Sequence, residues 1–365
     1  MKNFDLNNYI AKQVRGMTGY VPGEQPSTSD WVKLNTNEFP YPPSPKVAEA
    51  ILREVGEDGA RLRLYPNPES AKLREAIGEY FGVPAECAFA ANGSDDVLNL
   101  VIRAFTDSEL SIASLDPSYS LYPVLSQIQG SRFIQIPFKK NLEIDFDAVF
   151  SCGANIFFFT NPNAPTGAGF PAECVEKIAA GFDGLVLVDE AYAPFAEYSA
   201  APLVKKFPNL IVVGTTSKGW ALAGMRVGWA VADSAIIEVI DRVRDSYNLD
   251  RLAQVAGVAA LADREYYDAV RGCVIAERAE TEKFFDSLKW TYVKSSSNFI
   301  LFKPAKGGGT GAAPAKSLFE FLRERKILLR YFGNNPAVSD SIRLTVGTPE
   351  QMRKFKEAAK QWSEI

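Results

Sequence analysis

Histidine is absent from all 365 residues. Serine–histidine hydrolysis, histidine-ligated metal catalysis and imidazole general bases are therefore excluded. Cysteine is scarce: Cys87, Cys152, Cys174 and Cys273 stand far apart with no CxxC pair. A disulfide framework or thiolate zinc site is not expected, and reduced buried thiols are. No run approaches the roughly 18 apolar residues that span a bilayer. The opening MKNFDLNNYI has no basic stretch leading into an apolar one, so no secretory signal is read there. A soluble cytoplasmic protein is the expectation. Basic residues do not dominate either: 40 Lys and Arg face 44 Asp and Glu, for a net charge of −4. That balance argues against a general affinity for nucleic acid or anionic membrane.

What is present is apolar. Hydrophobic residues make up 47% and charged residues 23%, the profile of a globular protein with a large core. The length suits about two domains. The first forty or so residues read as an irregular arm ending in LNTNEFPYPPSP, where Pro40, Pro42, Pro43 and Pro45 forbid a regular helix or central strand. A helix is expected from Lys46 to about Gly56. Short apolar runs follow at 87–91, 110–114, 132–136, 155–160, 185–189, 210–216 and 227–232. Runs such as LVLVD are apolar at consecutive positions, so both faces should be buried, as in a mainly parallel sheet covered by helices. Beyond residue 235 the texture changes. One long helical stretch is expected over Ala235 to Ala262 and another over Tyr266 to Leu288. Strand candidates follow at 297–302, 327–332 and 341–346, with a helix near Lys316 to Arg325 and a closing helix from Pro349 to Trp362. The resulting division is an arm at 1–40 that joins a small domain, a large α/β domain at 41–235, and a smaller α+β domain at 236–365.

Four segments carry candidate chemistry. TTSKGWALAGMRVG follows a buried strand and holds Ser217, Lys218 and Arg226. A lysine at the carboxyl edge of a parallel sheet lies where α/β folds place ligands, and a hydroxyl with a guanidinium can hold a phosphate. Asp189 closes the apolar run LVLVD. A carboxylate there needs a cationic partner or becomes costly. A helix cap or a nearby Arg would also satisfy it. Tyr192 lies three residues on. NGSDD, with Ser94 and Asp95, opens a helix, where free N–H groups bind phosphate, although Asp95 also suits an ordinary N-cap. TNPNAPTG is turn-rich and again follows a strand. GAAPAKS, at 311–317, loosely imitates a phosphate loop, but Ala315 occupies the place of the required Gly. A flexible connector is expected there.

Taken together and in order, LNTNEFP, RLYP, NGSDD, DPSYSLYP, NPNAPTG, VDEAYAPF, TSKGWALAGMRVG, SNFILF, ILLRYF and IRLTVGT resemble the fold-type I aminotransferases that depend on pyridoxal 5'-phosphate (PLP). Within that class they resemble the histidinol-phosphate aminotransferase family most closely. The resemblance spans nearly the whole chain. It implies a large domain with a mostly parallel seven-stranded sheet flanked by helices and a smaller α+β domain. It implies Lys218 as the Schiff-base lysine and proton carrier. Asp189 would pair with the pyridine nitrogen, Tyr192 would donate to the ring's phenolic oxygen, and Tyr119 would stack on the ring. Ser217, Arg226 and the backbone N–H groups of Ser94 and Asp95 would hold the phosphate, joined by Tyr65 from the other subunit of a homodimer. Arg343 would clamp the substrate carboxylate, with Arg330 and Tyr20 at the distal end. Asn35 and Asn37 would lie near the substrate, and Asn298 near Arg343. The family's usual Asn before Pro-Thr-Gly, which bonds the cofactor's phenolic oxygen, is Ala164 here. Asn163 or Asn161 from the neighbouring turn would substitute, and Asn163 is the expected one. The implied reaction is ping-pong transamination of L-histidinol phosphate with 2-oxoglutarate. The alternatives on the same scaffold are aromatic transamination and threonine-phosphate decarboxylation. A non-enzymatic PLP-binding regulator and a plain α/β binding protein are further readings.

Overall fold

The protein is described by a computed structural model covering residues 4–365. Seven apolar runs become the strands β1 (Ala88–Asn92), β2 (Ser111–Asp116), β3 (Arg132–Pro137), β4 (Ile156–Thr160), β5 (Leu185–Asp189), β6 (Leu210–Thr215) and β7 (Val227–Ala232). They form one sheet in the order β1-β7-β6-β5-β4-β2-β3. β3, β2, β4, β5 and β6 pair in parallel. β7 is antiparallel to both β6 and β1. Consecutive residues of β4 divide between two separate cores: Phe157 and Phe159 pack on one face, Ile156 and Phe158 on the other. That two-sided burial is why the strands read as unbroken apolar runs.

A second, four-stranded sheet is formed by β8 (Thr291–Tyr292), β9 (Phe299–Lys303), β10 (Arg330–Tyr331) and β11 (Ile342–Thr345), in the antiparallel order β10-β11-β9-β8. Its own core contains Phe285, Phe302, Phe355 and Trp362. The N-terminal segment is not a loose arm throughout. Val32–Lys33 pairs in parallel with Ile327–Leu328, which brings residues 34–37 against the second sheet.

Two expectations about helices are corrected. The stretch from Ala235 to Ala262 is two helices, Ser234–Val243 and Arg251–Ala262. Between them the chain breaks, and Asp250 caps the second helix by accepting from the N–H groups of Leu252 and Ala253. Asp, Ser and Asn concentrated at 245–250 compete with helical hydrogen bonding and favour such a cap. GAAPAKS is not a connector. The helix Ala312–Glu324 starts directly after Gly311, with Ala315 and Leu318 buried. Pro314 is tolerated because a first-turn N–H has no partner within the helix.

Candidate active site

The ends of β1, β2, β4, β5 and β6, and the start of β7, meet at one edge of the large sheet. A cavity of about 710 Å³ opens there, within the size range of small-molecule sites. The large sheet supplies one wall. β10, β11 and the N-terminal segment supply the other through Arg330, Arg343, Tyr20, Asn35 and Asn37.

Asp189, the last residue of β5, is 3% exposed. Its Oδ2 accepts from the Tyr122 hydroxyl at 2.8 Å and its Oδ1 from the Ala191 N–H at 3.1 Å. Burial pushes its pKa up to about 6, against the opposing effect of those two donors. After β6 the chain enters one helical turn, Thr216–Gly219, capped by the Thr215 hydroxyl, which accepts from the Ser217 N–H at 3.1 Å. That turn presents Ser217 and Lys218 to the cavity. Lys218 Nζ donates to the Thr36 carbonyl at 3.1 Å. Burial, and then the Arg343 charge, lower its pKa to about 8. Among the described residues neither Asp189 nor Lys218 has an ion-pair partner within 4.0 Å. The cavity thus holds a carboxylate with no cation and an amine held partly free of its proton.

Beside them lies a tight backbone cradle. The helix Ser94–Phe105 starts at Gly93, which adopts φ 84°. A Cβ on Gly93 would stand 2.5 Å from Arg226 Nη2, and one on Gly228 would stand 2.4 Å from the Ser94 nitrogen. The absence of side chains therefore lets β7 and Arg226 close onto the helix start. Arg226 Nη1 donates to Ser217 Oγ at 3.4 Å, and its guanidinium lies 3.8 Å from Asp95. Helix-start N–H groups, a hydroxyl and a guanidinium around one spot can hold a phosphate dianion.

On the facing wall, Arg330 and Arg343 are cross-strand partners in the β10–β11 pair. Both guanidiniums lie near the Phe332 ring, at 5.7 Å and 5.6 Å from its centroid. Arg343 donates to the Asn35 carbonyl at 3.1 Å, and its Nε is buried with no partner. Neither arginine meets a carboxylate within 4.0 Å among the described residues. Asn35 Oδ1, Thr36 Oγ1 and Asn298 Oδ1 are also buried without partners. Polar groups left open in this way favour an anionic, hydrogen-bonding ligand.

Most of the residues singled out in the sequence line this cavity, Ser94, Asp95, Tyr119, Tyr192 and Arg226 among them. Three do not. Asn298 sits behind the wall and donates to the Asn37 carbonyl at 3.0 Å. Tyr65 is 76% exposed on the surface and stacks on Tyr247 at 4.3 Å. Asn163, the expected substitute for the Asn absent at 164, is turned away. It donates to the Pro117 carbonyl at 3.1 Å and accepts from the Thr166 hydroxyl at 2.6 Å. Asn161 is engaged too, by Tyr198 and the Phe170 backbone. Ala164 itself lines the cavity against Tyr192 and Phe299. The sequence reading missed Tyr122, whose hydroxyl joins Asp189 to Thr160 Oγ1, 2.7 Å away. Its spacing of three from Tyr119 was the available signal.

The profile of aminotransferase class I and II matches residues 29–358. A histidinol-phosphate aminotransferase of Syntrophotalea carbinolica is 44% identical over 353 residues, covering 95% of this chain and 97% of that one. The same-named enzyme of Geobacter sulfurreducens is 43% identical over 354 residues, with the same shares covered. Among solved structures, the histidinol-phosphate aminotransferase of Sinorhizobium meliloti in complex with pyridoxal-5'-phosphate superposes with a TM-score of 0.82. It is 23% identical and covers 90% of this chain and 91% of that one, which speaks to the shared fold. With a matching profile over most of its length and relatives above 40% identity, the chain belongs to the aminotransferase class I and II family.

Proposed function

We propose that this protein is a PLP-dependent aminotransferase that converts L-histidinol phosphate and 2-oxoglutarate into imidazole acetol phosphate and L-glutamate, taking the two substrates in turn. The carrying observation is the cross-strand pair Arg330–Arg343, free of carboxylates and facing the same cavity as Lys218 and Asp189. Both substrates present two negative charges to a binding site, one on a phosphate monoester and one on a pair of carboxylates. Two neighbouring guanidiniums suit either.

The site fits the cofactor on three counts. Asp189 lacks the cation that a protonated ring nitrogen would provide. The cradle at Gly93, Ser94, Ser217 and Arg226 suits a phosphate. Lys218 offers an amine within the same cavity. When bound, PLP supplies the electron sink that acidifies the substrate Cα–H and carries the amino group between substrates. The chain's residues supply the rest. Asp189 keeps a positive charge on the ring nitrogen, because its own buried charge is otherwise uncompensated. Lys218, with its pKa near 8, exists partly as free amine near neutral pH and moves the proton at Cα. Tyr119 would cover the ring, and Tyr192 would donate to its phenolic oxygen, both from the lining of the same cavity.

Homodimerisation belongs to the same reading. Leu62, Leu64 and Tyr65 are all more than half exposed in one short segment, an apolar patch suited to a partner. Four free cysteines suit the reducing cytoplasm. The test is a panel of histidinol phosphate, phenylalanine and threonine phosphate, each with 2-oxoglutarate, read as glutamate formed. Histidinol phosphate should exceed phenylalanine in kcat/KM by about 100-fold or more, since the single carboxylate of phenylalanine can engage Arg343 but leaves Arg330 without an anion. Equal values would refute the assignment, and carbon dioxide release from threonine phosphate would replace it with a decarboxylase.

A further inference from the structure

Asn37 is 1% exposed, and all of its polar groups are engaged. Its N–H donates to Thr345 Oγ1 at 3.0 Å, and the same hydroxyl donates back to Asn37 Oδ1 at 3.1 Å. Asn298 Nδ2 donates to its carbonyl at 3.0 Å. What remains is its Nδ2, which donates to the Tyr192 hydroxyl at 2.9 Å. In this arrangement the Thr345 hydroxyl accepts from the Asn37 N–H and donates to Oδ1, and Nδ2 faces Tyr192. Asn37 adopts φ 56°, a conformation asparagine tolerates better than most residues.

We propose that Asn37 is a positioning residue, held by Thr345 and Asn298, that occupies the Tyr192 oxygen as an acceptor and so aims the Tyr192 proton into the cavity. It acts through Tyr192 rather than as a substrate ligand. The chain of bonds begins on β11, where Thr345 lies two residues from Arg343 and therefore on the same face of the strand. The strand that binds the anion thus also orients the hydroxyl beside the cofactor. Asn37 takes on added weight because Ala164, beside Tyr192, has no donor to offer.

The proposal rests on the functional reading above, and its test separates the two. Tyr192 also faces Arg343, Asp189 and Tyr20, and these are unchanged in the variants. A hydroxyl donated to the cofactor's phenolic oxygen stabilises negative charge there. A weaker donor leaves that charge to be neutralised by a proton, so the pH midpoint of the bound cofactor's visible absorbance rises. Wild type, Asn37→Gly, Thr345→Val, Tyr192→Phe and Asn37→Gly/Tyr192→Phe are loaded with PLP and titrated. Glycine keeps the backbone bonds and accepts the positive φ, and Thr345→Val keeps the side-chain shape. Asn37→Gly should raise the midpoint by at least about half a pH unit, the scale of one hydrogen bond. Thr345→Val should shift it in the same direction by less. In the Tyr192→Phe background, Asn37→Gly should add nothing. Unchanged midpoints in Asn37→Gly and Thr345→Val, or a full additional shift in the double variant, would overturn the proposal. A wild-type protein with no titrating band would overturn the functional reading and this proposal with it.

Discussion

Asp189 is in conflict with the stability of the unloaded protein. Its folded pKa of about 6 lies above the ordinary value of 3.8. Between those two pH values the folded state binds more protons than the unfolded chain, so stability falls as pH rises through that window. Above pH 6 the full cost is present, at most about 3 kcal/mol. Asp189→Asn should therefore stabilise the cofactor-free protein at pH 7 by about 1–3 kcal/mol, with the gain vanishing near pH 4. Denaturant unfolding at the two pH values reads this directly, and a variant no more stable than wild type at pH 7 would show that Tyr122 and Ala191 already compensate the charge. Arg343 makes the opposite kind of contribution. Arg343→Ala should lower kcat/KM for both substrates by about 100-fold or more, the scale of removing a charge-assisted bidentate contact. Steady-state kinetics on each substrate checks it. Asp189 and Lys218 were legible in the sequence because each ends or follows an apolar run, which fixes its place on the sheet edge. Asn37 as a support for Tyr192 was not legible, because the two meet across 155 residues of chain. The resemblance points to Asn163 as the substitute for the missing Asn, but motif order does not show that its own turn has already claimed the side chain.

Among the elements, the junction of β7 with the helix Ser94–Phe105 is the tightest. A methyl group on Gly228 would fall 2.3 Å from the Gly93 carbonyl carbon, a position no real Cβ takes. Gly228→Ala should push β7 away from the helix start, cost about 1–3 kcal/mol of stability, and weaken cofactor binding by more than stability alone explains. Equilibrium dialysis of PLP against the folded variant measures that. The seven strands were legible because two-sided burial writes itself as consecutive apolar residues. The direction of β7 was not, since an antiparallel member buried on both faces has the same composition as its parallel neighbours. The break at 244–250 was hidden because apolar residues continue on both sides of it. The helix expected near Lys316 to Arg325 starts earlier, at Ala312, and its first turn was hidden because the glycine-rich approach and Pro314 resemble a loop.

At the scale of the whole molecule, the N-terminal segment is what joins the two sheets around the cavity. Val32–Lys33 pairs next to β10, and Thr36 and Asn37 then reach Lys218 and Tyr192. If Tyr65 serves a partner's site, as the functional reading holds, inactive variants must complement. Equal amounts of Lys218→Ala and Tyr65→Ala chains, unfolded and refolded together, should recover up to roughly a quarter of wild-type activity, since half of the dimers would carry one intact site. No recovery would mean that Tyr65 acts within its own chain or not at all. The proposed chemistry requires that Lys218 hold the cofactor. The protein incubated with PLP, reduced with borohydride and digested should carry the pyridoxyl-phosphate mass on the peptide containing Lys218, and Lys218→Ala should carry none. Label on a different lysine, or an unmodified Lys218 in protein that turns over substrate, would contradict it.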